Sequence, residues 1–299
     1  MKEKAPLGAR IMLRDTLDWE SLTDDQVIAA RRKVNRIRSS RAARIITGLP
    51  DRRAGIEERT IALPGRRLKL RVHRPKNAGP RLPLILSFHG GGFIVGVPAQ
   101  NDWLNSHLAA HCPAVVVSVD YRLAPEHPLP EPIEDGYDTL ARILEDPAGW
   151  GVDPAAVAVL GESAGGTLAA LVALRAREDG PPLHAQVLAY PGTDWPDTMA
   201  DYPSIAANAG NPGFSLSEWR GGTEYGGAVA PLRVGFRRRG DPAGDRRRRG
   251  SGAAAGGRRA GPRLGHPGRR RSARDRRPGA APAGLLRLPG RPPAARWTR

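Results

Sequence analysis

The run Gly161-Glu162-Ser163-Ala164-Gly165 fits the pattern G-x-S-x-G. A serine in that pattern serves as a nucleophile when a sharp strand-to-helix turn pushes its hydroxyl clear of a sheet. The glycines are needed because larger side chains would clash in so tight a turn. In a chain with 36 glycines the pattern alone is weak. Its surroundings sharpen it, because Val157–Leu160 reads as a strand and Thr167–Arg177 as a helix, with the serine at the join. The helix would offer its first amides and the positive end of its dipole to a developing oxyanion. The competing reading is an ordinary glycine-rich turn.

A second motif, His89-Gly90-Gly91-Gly92-Phe93, follows the apolar run LPLILSF. Consecutive glycines expose backbone N–H groups, the donors that an acyl-transfer site needs around its oxyanion. Two phosphate-binding alternatives fail. No G-K-[ST] follows, and a dinucleotide fingerprint would need glycine where Val95 stands. His107 and His111 have the i, i+4 spacing of a zinc pair, but no third ligand is evident and a surface helix accounts for them better.

The elements around these motifs follow from apolar patterning. Thr23 and Gln26 have the spacing of a capping box. Val27, Ala30, Val34, Ile37 and Ile45 then predict one basic amphipathic helix to about Ile46. Such a helix can lie on a membrane, but packing on its own domain is the better reading. Ile56–Leu63 and Leu68–His73 read as strands around Pro64-Gly65. Leu82–His89, Ala114–Tyr121, Val157–Leu160 and Gln186–Tyr190 are short apolar runs, separated by helix-like stretches at Gln100–His111, Pro132–Glu145 and Ala164–Glu178. This alternation predicts an α/β fold, with a mostly parallel sheet covered by helices on both faces.

Taken in order, HGGGF, DYRLAPEHPLP and GESAGG resemble the hormone-sensitive-lipase-like esterases of the α/β-hydrolase fold. PIEDGY, YPGTD and YPSIAANAGNPGFSL also fit, so the resemblance covers roughly residues 20–225. It implies Ser163 as nucleophile and Gly91, Gly92 and Ala164 as oxyanion donors. His89, Gly90, Gly161 and Gly165 would support the two turns, with His89 anchoring the glycine loop rather than acting as base. The helix 23–46 would belong to a cap over the acyl pocket, and the sheet would have eight strands. The domains would then be cap helices in residues 1–55, a hydrolase core in 56–228 and a tail in 229–299.

A serine hydroxyl needs a histidine to take its proton and an acid to orient that histidine. In this fold the chain order is Ser, acid, His. Asp241-Pro242-Ala243-Gly244-Asp245 has the outline of the family's acid turn, and His266 is the tail's histidine, so Asp241 and His266 are the candidates. Asp241 follows Phe236-Arg237-Arg238-Arg239-Gly240 rather than an apolar strand, and His266 stands in Gly265-His266-Pro267-Gly268. His127 belongs to a structural loop of the family, and His73 and His184 match no role.

The chain has 299 residues and a net charge of +17. The surplus is local, since residues 229–299 carry 21 Arg against 3 acids. A uniformly basic surface built for nucleic acid is therefore excluded. In that tail, 55 of 71 residues are Arg, Gly, Ala or Pro. One reading is a disordered tail. Another is a shifted reading frame, because codons made only of G and C encode just those four residues. The first hypothesis for function is a serine carboxylesterase for short- to medium-chain esters. The second is a catalytically dead copy altered between about Trp219 and Val229. The third is a hydrolase-like domain whose Arg246–Arg249 and Arg269–Arg271 bind nucleic acid nonspecifically, with only Phe236 and Trp297 for stacking. With a single cysteine, Cys112, an intramolecular disulfide framework is excluded. The first twenty residues contain no signal-peptide pattern, and no apolar run is long enough to span a bilayer. A cytoplasmic protein is expected, with a small-molecule ester as substrate, no cofactor or metal, no specific nucleic acid, and room for a homodimer.

Overall fold

The computed structural model describes residues 21–193 and 202–204. Six strands form one sheet in the order β1-β2-β4-β3-β5-β6. They are β1 (Ala54–Leu63), β2 (Arg66–Pro75), β3 (Leu82–Phe88), β4 (Val115–Val119), β5 (Val152–Glu162) and β6 (Ala185–Ala189). The β4-β3-β5-β6 block is parallel throughout. Strand β2 runs antiparallel to both of its neighbours, so the hairpin through Pro64-Gly65 supplies the sheet's mixed edge. The eight strands implied by the resemblance become six among the described residues.

Period-two alternation sorts the side chains between two faces. Leu84, Leu86 and Phe88 on β3 join Val115, Val117 and Val119 on β4 and Val157 and Val159 on β5 in the main core. Helices α4 (Glu131–Glu145) and α6 (Ala164–Asp179) supply Ile133, Leu140, Ile143, Leu168 and Val172 to it. On the other face, helix α3 (Asp102–His111) packs Leu108 and Ala109 against Ile85, Val116 and Ala54. That face is more polar. Buried Asp102 accepts from Arg71 Nε at 2.5 Å and Nη2 at 2.8 Å, and lies 3.1 Å from His73 Nε2. Buried Ser87 donates to Asn105 Oδ1 at 3.1 Å. A short helix, α5 (Pro147–Trp150), leads into β5.

One sequence expectation is corrected. Residues 23–46 form two helices, α1 (Asp24–Arg38) and α2 (Ala43–Thr47), instead of one. The capping box is formed as read, with Thr23 N–H donating to Gln26 Oε1 at 2.8 Å and Gln26 N–H to Thr23 Oγ1 at 3.4 Å. The break lies at a pair of serines. Ser39 Oγ donates back to the Asn35 carbonyl at 2.9 Å, and Ser40 Oγ accepts the Ala43 amide at 3.1 Å. Serine hydroxyls compete in this way with the backbone ladder, ending one helix and holding the turn before the next. Among the described residues, no helix is long and apolar enough to cross a membrane.

Candidate active site

Strand β5 ends at Glu162, and α6 starts at Ala164. Ser163 joins them with φ 52° and ψ −126°, a backbone conformation that side chains rarely adopt. Its N–H donates to the Ala189 carbonyl at 2.9 Å, and its carbonyl accepts from Thr167 N–H at 3.0 Å. The turn is held from beneath by glycines. A Cβ on Gly161 would strike the Gly165 carbonyl and come within 2.7 Å of Gly166 N. A Cβ on Gly165 would strike the Phe88 carbonyl oxygen and lie 2.5 Å from that of His89. The expected strand–Ser–helix elbow is thus present, with Ser163 half-buried at its apex.

The glycine loop leaves the end of β3, which pairs Phe88 with Gly161. Both turns therefore emerge at the same edge of the sheet. Gly91 takes φ 139°, and its carbonyl accepts from Ile94 N–H at 3.1 Å and Val95 N–H at 3.0 Å. The start of that loop lies against the elbow, where a Cβ on Gly90 would come within 2.9 Å of the Glu162 carbonyl oxygen.

His89 is fully buried under this loop. Its ring stacks on Tyr121 with centroids 4.3 Å apart, and its Nδ1 lies 3.1 Å from the Gly90 carbonyl. Tyr121 OH donates to the His89 carbonyl at 2.6 Å. Burial pushes the imidazole down to about 4, partly offset by the Gly90 carbonyl. At neutral pH the ring is an uncharged anchor.

The unfolded chain takes up a proton on His89 between pH 6.5 and 4 that the folded chain refuses. Stability from the neutral ring is therefore complete above that window and lost as pH falls through it. Asp120, pushed up to about 6 chiefly by burial, acts in the opposite sense, its contribution being lost as pH rises. A non-titrating variant isolates the histidine. The stability difference between wild type and His89→Phe should shrink by about 2–3 kcal/mol from pH 7 to 4.5 in urea titrations. Parallel pH curves for the two proteins would refute the assignment.

The sequence reading missed the side chains that join the two turns. Glu162 is the hub. Its Oε1 accepts the Gly90 amide at 2.8 Å and the side-chain amides of Gln100 and Asn101 at 3.3 Å each, while Oε2 accepts Tyr190 OH at 2.7 Å. Burial and the Glu162 carboxylate push the Tyr190 phenol up. Helix α1 meets the far end of the glycine loop. Val27 packs on Ile94 and Val95, and Asn35 bonds both backbone groups of Gly96. Each residue carries a local signal of its own, though none that points to its partner. Glu162 is an acid wedged into an apolar strand end, and Asn35 is a polar residue on the helix face that Val27 and Val34 define.

The histidines that the sequence reading set aside are engaged elsewhere. His73 pairs with Asp102, His107 Nδ1 sits by the Trp103 carbonyl, His111 meets Arg53 and Asp51, and His127 meets Glu131. Among the described residues, no group of three or more His, Cys, Asp or Glu side chains could hold a metal. Asp241 and His266 lie outside the described residues, as does the proposed tail.

Residues 85–221 match a family model described as alpha/beta hydrolase fold. A hyperthermophilic esterase from the archaeon Pyrobaculum calidifontis superposes with a TM-score of 0.59 at 31% identity, over 74% of this chain and 70% of that one. The chain belongs to the α/β-hydrolase family, in its hormone-sensitive-lipase-like branch. A thermostable esterase from Pseudomonas putida gives a TM-score of 0.63 at 27% identity, over 77% of this chain and 70% of its own. Carboxylesterase NlhH of Mycobacterium tuberculosis is 39% identical over 205 residues, or 67% of this chain. This α/β-hydrolase chain spans 60% of that relative's length.

Proposed function

We propose that the chain is a serine carboxylesterase acting on short- to medium-chain carboxylic esters. The single observation that carries this reading is the shared edge. Ser163 sits at the apex of a strained elbow, and the glycine loop leaves the adjacent strand at the same level, with Phe88 paired to Gly161 and the Gly90 amide bonded to Glu162. The named esterases among its relatives support the same chemistry. In the proposed reaction Ser163 Oγ attacks the acyl carbon as its proton passes to a base. The amides of Gly91, Gly92 and Ala164 donate to the oxyanion of the tetrahedral intermediate. Collapse breaks the ester C–O bond and the alcohol leaves with the proton. Water then adds to the acyl-enzyme and releases the acid. Asp241 and His266 are proposed as acid and base, supplied by the tail of residues 229–299 to a core of residues 56–228 with a cap in 1–55. No cofactor is required, the substrate is a small molecule, and the proposed compartment is the cytoplasm.

The second reading, a copy lacking a working base, is favoured by the engagement of the described histidines away from Ser163 and by the composition of residues 229–299. One experiment separates the two. Hydrolysis of p-nitrophenyl acetate by the full chain should exceed that of Ser163→Ala by at least about 1,000-fold. Equal rates would discard the esterase reading in favour of the inactive copy.

A further inference from the structure

We propose that Asn35, on helix α1, is a positioning residue for the oxyanion loop. This inference rests on the esterase reading for its kinetic consequence but not for its structural one. The glycine loop is fastened at two ends by two different parts of the chain. At its start, the Gly90 amide is held by Glu162, which belongs to the same turn as Ser163. At its end, Gly96 is held by Asn35 through a reciprocal pair: Gly96 N–H donates to Oδ1 at 2.8 Å, and Nδ2 donates to the Gly96 carbonyl at 3.0 Å.

The rest of the inward face of α1 reinforces that contact. Val27 is fully buried against Ile94 and Val95. Arg31 Nη1 donates to the Ala124 carbonyl at 2.9 Å, and Nη2 pairs with Glu126. Arg38 Nη1 donates to Gln100 Oε1 at 3.4 Å, and Gln100 in turn donates to the Gly90 carbonyl at 3.1 Å. Positions 27, 31, 34, 35 and 38 recur at helical spacing, so one rigid face carries all these contacts.

The geometry makes Asn35 the specific element. Gly96 has φ 125°, and a Cβ there would lie 2.6 Å from the Gly90 carbonyl oxygen and against the His89 ring. The end of the loop is thus folded onto its own start. An asparagine amide supplies a donor and an acceptor in one plane, which suits the two polar groups of a single backbone residue. Without it both groups lose their partner in a half-buried place, and the loop has freedom to reorient the amides at Gly91 and Gly92. The cap helix is therefore coupled to the oxyanion donors and does more than roof the pocket.

The test uses the full chain with Asn35→Ala, Asn35→Asp and, as a control on the exposed side of the same helix, Arg32→Ala. On p-nitrophenyl acetate, Asn35→Ala is expected to lower kcat about 10- to 100-fold with KM within about two-fold, because misaimed donors weaken the transition state more than the ground state. Asn35→Asp keeps the acceptor for Gly96 N–H and should recover part of that loss, while Arg32→Ala should match wild type. Amide hydrogen exchange at Ile94, Val95 and Gly96 is read in parallel and needs no turnover. Asn35→Ala should accelerate it at least about ten-fold, leaving β3 and β5 unchanged. Unchanged exchange in the loop overturns the proposal whether or not the chain hydrolyses esters. Faster exchange with an unchanged kcat in an active enzyme also overturns it, because the clamp would then be purely structural. An inert wild type with faster loop exchange in Asn35→Ala sustains the clamp while sinking the esterase reading.

Discussion

Gly165→Ala is expected to lower the stability of the chain by about 3 kcal/mol, a drop in melting temperature of about 6–12 °C for a protein of this size. Helix propensity argues the other way, since alanine is better than glycine by about 1 kcal/mol within a helix. The contacts decide the sign. The added methyl would strike the Phe88 carbonyl and lie 2.5 Å from the His89 carbonyl oxygen, and both are backbone atoms. Phe88 ends β3, which is locked between β4 and β5, so it cannot retreat. The first turn of α6 must lift instead, carrying Ser163 with it. Gly55→Ala is the matched control, because its Cβ would meet only the Arg74 carbonyl, at an ordinary 3.8 Å. Urea midpoints that are equal for the two variants would show that the elbow has slack the contacts do not reveal.

Asp135→Ala should be comparably damaging, at about 3 kcal/mol. The Asp135 side chain has no exposed surface. It accepts from Arg66 Nε at 2.6 Å, from Arg122 Nη2 at 2.9 Å and from the Arg122 backbone amide at 2.9 Å. Truncation would leave two mostly buried guanidinium groups without this counter-charge and one amide without a partner. The loss stays at the low end for a broken buried pair because Arg122 also reaches Glu131 and Arg66 reaches Asp138 at 2.7 Å. Asp135→Asn keeps an acceptor but not the charge, so thermal melts should place it between wild type and the alanine variant. If Asp135→Ala melts within about 2 °C of wild type, the neighbouring acids suffice to hold both arginines.

Much of this fold was legible in the chain because its central strands β3 and β4 are nearly continuous apolar runs bounded by glycine and proline. Leu82–His89 and Ala114–Tyr121 announce themselves in this way, and β3 and β4 lie within them. The elbow was legible because a local rule, glycine on both sides of a serine between strand and helix, carries its own geometry. The break after Arg38 was not, because Val27 to Ile45 keeps helical spacing and only the side-chain hydrogen bonds of Ser39 and Ser40 interrupt the ladder. Glu162 and Asn35 escaped for a different reason. Their partners, Gly90 and Gly96, lie 72 and 61 residues away, and no local periodicity encodes such pairs. That one strand of the β1–β2 hairpin opposes the rest was implicit in its two-residue turn, since so short a link joins only antiparallel strands, but that the reversed strand is β2 follows only from its pairing with β4.

The pairing of Phe88 with Gly161 has a consequence for the order of events during folding. The glycine loop and the serine turn are appendages of adjacent strands that are distant in sequence, and the Gly90–Glu162 bond between them cannot form before those strands meet. Loop closure over such a span costs entropy before any contact repays it. The site must consequently form late, together with the central sheet and not ahead of it. With Ser163 as the proposed nucleophile, a chain emerging from the ribosome would carry no half-built site, and reactivity toward serine-directed phosphonates should rise only with the final cooperative phase.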